Sequence, residues 1–131
     1  MKKYYKEYSK SWKEYPMAFW VHKSMNDIPW YDSDFFDPPA PKPNLNGLFT
    51  IYCVEYDGII LKFSSIYQYD DFLNVLSQKM LPQTINLSNG RKTSRGPNTH
   101  WLSKLPKKVK SWKFRNEMVN YLKANRKRIL E

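Results

Sequence analysis

The sequence predicts an α+β domain built on a small antiparallel sheet, on three observations. Two β-rich runs, LFTIYCVEY and IILKF, flank an Asp57-Gly58 pair. Ser65 and Ser111 each precede a segment with a single apolar stripe at helical spacing. The 131 residues, 41% hydrophobic and 17% aromatic, are enough to bury one core without disulfides or metals. The expected architecture is one domain over residues 1–131. It has three or four strands, a hairpin over 48–63, and helices over about 2–15, 65–80 and 112–128.

Taken in order, Tyr4, Tyr5, Tyr8, Trp12 and Tyr15 recur among Lys and Glu at a spacing that predicts an amphipathic helix over 2–15. Pro16 ends it, because proline disfavours α geometry in the residue before it. Met17 to His22 reads as a short strand. Residues 26–46 hold Asp27, Asp32, Asp34 and Asp37 among aromatics, then Pro38, Pro39, Pro41 and Pro43. The prolines block helix, so this irregular acidic and proline-rich segment is expected to wrap the surface, pinned by Trp30, Phe35 and Phe36.

The hairpin is the clearest local signal. Asp-Gly suits a type I′ turn, in which both central residues need positive φ. Ser65 and Gln68 have capping-box spacing for the next helix, whose stripe is Ile66, Tyr69, Leu73, Leu76 and Met80, with Pro82 as its stop. Residues 83–100 read as a polar loop with Asn89-Gly90 and Gly96-Pro97 turns. Residues 101–105 suit a helical turn ended by Pro106. Ser111 then caps a final helix whose inner stripe is Phe114, Met118, Tyr121, Leu122 and Ile129.

Charge is unevenly distributed. Residues 1–78 carry 8 Lys/Arg against 10 Asp/Glu, a balance of −2. Residues 79–131 carry 14 Lys/Arg against 2 Asp/Glu, a balance of +12. Such asymmetry predicts a strongly positive face that attracts polyanions. Arg91, Lys92, Arg95, Lys104, Lys107, Lys108, Lys110, Lys113 and Arg115 lie along it, with Trp101 and Trp112 among them. Basic side chains neutralise phosphates and indole faces stack on unpaired bases, so DNA or RNA is the expected partner. Both tryptophans also suit a core role.

Three other groups could carry chemistry or contacts. His100 lies near Arg91, Arg95 and Lys104, where positive charge would lower its pKa and suit a general base for RNA cleavage. A hydrogen-bonding structural histidine is the commoner outcome. Asp27, Asp32, Asp34 and Asp37 could offer a basic protein an acidic strip, or could neutralise the basic half of their own chain. Cys53, the sole cysteine, sits in a strand-like run and reads as a small buried hydrophobe. With one Cys and two His a structural zinc site is not expected, and no cofactor is implied. Phosphate-loop, dinucleotide, nucleophile-elbow and zinc-protease motifs do not occur. The basic N-terminus has no apolar region behind it, and no apolar run nears a membrane span. A soluble cytoplasmic chain is the expectation.

The stretch GPNTHWLSKLPKKVKSWKFRNEMVNYL, Gly96 to Leu122, resembles the C-terminal block of small uncharacterised proteins carried by bacterial plasmids, integrative elements and phages. LPQTINLS, Leu81 to Ser88, and the block from Phe49 to Gln78 extend the likeness. The resemblance implies context only: an accessory protein that binds nucleic acid, or one that disarms host CRISPR or restriction systems. Composition and resemblance together lead to three expectations: a non-catalytic nucleic-acid-binding protein first, a protein-binding inhibitor of host defence second, and a small ribonuclease using His100 third.

Overall fold

Strand β4, Phe49–Tyr56, is largely buried, and buried backbone N–H and C=O groups need hydrogen-bond partners on both of its edges. One partner is local. The chain reverses at Asp57 and Gly58, whose φ values of 46° and 87° satisfy the type I′ requirement, and returns as β5, Ile59–Phe63. The other comes from the start of the chain. Lys2–Ser9 forms β1, antiparallel to β4, with Lys2 opposite Tyr56 and Ser9 opposite Phe49. The sheet order is β1-β4-β5. The computed structural model describes residues 1–81 and 100–131.

The expected helix over 2–15 is therefore corrected to a strand. Tyr4 and Tyr8 fit both periods, and the β reading wins because the open edge of β4 offers a ladder of backbone hydrogen bonds. Lys3 and Glu55, directly opposite, form an ion pair at 3.5 Å, and Glu7 pairs with Lys62 at 3.1 Å. The expected strand at 17–22 is also corrected. Ala18–Val21 is one helical turn, α1, closed by a hydrogen bond from the His22 N–H to the Ala18 carbonyl. A short apolar run does not discriminate helix from strand, and here its burial decides.

Residues 26–46 carry little regular structure. They hold a 3-10 turn at Trp30–Asp32 and the strand Phe36–Asp37, β3, which pairs with Lys23–Ser24, β2. Trp30 and Phe36 pin the segment to a satellite core with Trp12, Ala18 and Phe19. Phe35 does not. It is exposed, because successive side chains of an extended chain face opposite ways.

Helix α2, Ile66–Leu76, begins at Ser65, whose Oγ accepts the Gln68 N–H at 3.2 Å. The reciprocal bond falls one residue earlier than a capping box requires: Gln68 Oε1 accepts from the Ser64 N–H. Met80, expected on the apolar stripe, is exposed; Phe72 and Val75 are buried in its place. The final helix, α3, spans Trp112–Leu130 from its Ser111 cap. Val54, Tyr56, Leu61 and Phe63 on the sheet pack with Tyr69, Phe72 and Leu76 of α2 and Met118, Val119 and Leu122 of α3 as the main core. Asp70 and Arg126 tie the two helices at the surface, and the Tyr69 hydroxyl donates to the Leu122 carbonyl.

Candidate nucleic-acid interface

Between α2 and α3 the chain passes two 3-10 turns, Trp101–Lys104 and Lys107–Lys110, started at His100 and Pro106. Such turns bring residues three apart onto one side. This sets Lys107 beside Lys110 in the second turn; Lys104 in the first turn and Lys113 in α3 continue the three-residue spacing in sequence across extended residues at Leu105, Pro106 and Ser111, and all four lysines are exposed. The series ends in the first turn of α3, which holds no acidic residue. Lysine charge thus adds to the positive end of the helix dipole instead of offsetting it. That arrangement costs stability in the free protein and favours any anion that neutralises it.

Not every expected contact residue joins this face. Arg115 is 1% exposed. Its Nε donates to the Leu76 carbonyl, Nη1 to Val109 and Lys110, and Nη2 to Gln78 and Lys79, at 2.6 to 3.1 Å. The guanidinium satisfies the orphan carbonyls at the end of α2 and locks the second 3-10 turn to it. Arg115 is thus corrected from a phosphate contact to a buried clamp. Trp101, 3% exposed, packs against Phe72 with ring centroids 5.3 Å apart, so it is core and not a stacking platform. Trp112 is half-buried beneath the Arg115 guanidinium. Lys108 is exposed but held, donating to the Asp57 carbonyl and lying over the Phe114 ring. Arg91, Lys92 and Arg95 lie outside the described residues.

His100 is 4% exposed, packed beside Trp20 and Trp101. Its Nδ1 accepts the Leu102 N–H at 3.1 Å, capping the turn. Burial pushes its pKa down to about 4. The direction matches the expectation, but desolvation is the cause, not neighbouring cations. A ring so enclosed is not placed to meet an RNA backbone. His22 is also buried: its Nδ1 donates to the Pro38 carbonyl at 2.8 Å, and its Nε2 accepts from the Ser65 hydroxyl at 2.7 Å. It joins the proline segment to the start of α2. Cys53 is fully buried, and burial pushes its thiol up to about 11, against a thiolate role.

Asp27, Asp32, Asp34 and Asp37 are all exposed on the segment above the satellite core. Among the described residues Asp32, Asp34 and Asp37 make no ion pair, so neutralisation of the basic half finds no contact there. No group of three or more metal-ligating side chains occurs among the described residues, and no described helix is long and apolar enough to cross a membrane.

The sequence reading missed a second basic and aromatic face. On β1, Lys2, Tyr4, Lys6 and Tyr8 share one side of the sheet, opposite Tyr56, Val54, Tyr52 and Thr50. Under α3 this face is core; on β1 it is open. The signal was present as a Lys/Tyr alternation of period two, hidden by tyrosines that also fit a helix. No family model, curated protein or solved structure matched the chain in the three comparisons.

Proposed function

We propose that this chain is a non-catalytic nucleic-acid-binding protein whose phosphate-contacting surface is the lysine series Lys104, Lys107, Lys110 and Lys113. The observation that carries this reading is that four exposed lysines, three residues apart in sequence, line the approach to α3 and end at Lys113 in its first turn, which holds no acidic residue. Like charges so placed repel one another, and phosphates relieve that repulsion while releasing condensed counterions. A role as an accessory protein of a bacterial plasmid, integrative element or phage is part of the same proposal.

The test is fluorescence anisotropy of a labelled strand and its duplex across a salt series. Binding should weaken steeply with salt. Replacing Lys104, Lys107, Lys110 and Lys113 by Gln should lower the slope of log K against log salt on duplex by about 3–4. Absence of binding to any strand or duplex at low salt would overturn the reading.

A second reading is favoured by the exposed carboxylates that pair with nothing among the described residues. In it, Asp32, Asp34 and Asp37 dock on a basic surface of a host defence protein. Charge reversal of all three should then abolish co-purification of one host protein from nuclease-treated lysate. A capture unaffected by reversal removes this reading.

A further inference from the structure

We propose that the uncovered face of β1 and the cleft at its far end form a binding track for single-stranded nucleic acid, an inference that rests on the nucleic-acid reading above. Lys2, Tyr4, Lys6 and Tyr8 alternate cation and ring along one side of the strand. Lys2 and Lys6 are exposed, and Tyr4 and Tyr8 are 36% and 57% exposed. Side chains two residues apart on a strand are spaced about 6.6 Å, so the four span about 20 Å. Tyr4 and Tyr8, four residues apart, stand about 13 Å from each other, so each ring offers a stacking surface to one unpaired base, with Lys6 between them and Lys2 beyond Tyr4 to meet the linking phosphates. A duplex, with its bases already stacked on one another, cannot use the rings.

The track is continuous with features at both ends. Near Lys2, the Lys2 ammonium lies 5.0 Å from the centre of the Tyr56 ring, and Tyr56 packs against Phe114, which Lys108 covers. The start of β1 therefore adjoins the lysine-rich approach to α3. At the other end, Lys6 lies over Tyr52, its register partner, and Thr50 is the partner of Tyr8. Tyr52 and Thr50 also line a cleft of about 300 Å³ walled by Pro39, Lys42, Ser65 and Tyr67. Tyr67 is 48% exposed and Lys42 is exposed. Two tyrosine rings, hydroxyls and a lysine suit a base and its phosphate. The positive charge along the path selects an anionic partner over an apolar one, and the exposed rings favour unpaired bases over an acidic peptide, which has no flat faces to stack. The track would accommodate on the order of four nucleotides, the low end of single-strand site sizes.

The experiment compares a fluorescein-labelled mixed-sequence single strand with the duplex made from it. In the full chain, Tyr4→Ala, Tyr8→Ala and Tyr67→Ala together should weaken single-strand binding by at least about tenfold while leaving duplex binding unchanged. Tyr4→Trp with Tyr8→Trp keeps the platforms and should retain or tighten single-strand binding, which separates lost stacking from lost folding. Lys2→Gln with Lys6→Gln should lower the single-strand salt slope by about 1.4. If the wild type binds both probes and the tyrosine variant, folded by circular dichroism, binds the single strand as well as the wild type, this inference falls and the lysine-series reading stands. If the wild type binds neither probe, both fall.

Discussion

Strand β1 and helix α3 are written in similar residues and hold their places by different means. Both mix lysines with aromatic residues, tyrosines 4, 5 and 8 in β1 and Trp112, Phe114 and Tyr121 in α3, at spacings that suit a helix. Helix α3 buries Arg115, Met118, Val119, Leu122 and Ile129 and is capped by Ser111. Strand β1 buries no side chain fully; it is held by its backbone ladder to β4 and by cross-strand pairs. A segment that supplies its own core contacts and cap can be recognised locally. One that borrows stability from a distant edge cannot.

The sharpest way to break this contrast is at Arg115. Arg115→Lys should destabilise the protein by about 3–5 kcal/mol in urea unfolding, with the m-value unchanged. A lysine ammonium has three donors and no fork, so several of the five carbonyls lose their partner. A loss below 1 kcal/mol would show that the clamp is not what holds α3 to α2.

Acid tests the same side of the molecule. His100 and His22 are buried, and burial lowers both pKa values below the unfolded value of about 6.5. The unfolded chain therefore binds protons first. Stability should be full above pH 6.5 and fall as pH drops toward 4, where His100 titrates in the fold. The loss from His100 amounts to at most about 3 kcal/mol. His100→Asn should flatten that part of a melting-temperature profile; an unchanged profile in the variant would sink the assignment.

Smaller changes sharpen the comparison from each side. Ser111→Ala removes the hydroxyl that accepts the Phe114 N–H and should cost about 0.5–1 kcal/mol by thermal unfolding. Lys3→Glu sets like charges opposite each other at Glu55 and should cost less than about 1 kcal/mol, because the pair is partly exposed. Its trace should instead be local, as faster amide hydrogen exchange in β1 with α3 unaffected. Equal acceleration in both elements would mean that β1 is not an independent edge.

The sequence by itself determined the hairpin, the Asp57-Gly58 turn, the caps at Ser65 and Ser111, the last helix and the concentration of positive charge in the final 53 residues. Each depends on residues close together in the chain, where turn geometry, capping and periodicity act directly. Lys104, Lys107, Lys110 and Lys113 were named from the sequence among nine basic residues, but that these four are exposed and Arg115 is not is read only from the fold. Tertiary structure decided what depends on distant partners. It made residues 2–9 a strand, because β4 had an edge to fill. It turned Phe36 inward and Phe35 outward. It buried Arg115 and Trp101 while leaving their lysine neighbours in solvent. A basic or aromatic side chain carries no mark of whether phosphates or carbonyls, bases or core residues will meet it; that is settled by which surfaces the packed elements leave open. On β1 that same packing left the Lys2–Tyr4–Lys6–Tyr8 face uncovered, beside the lysines that the sequence had already singled out.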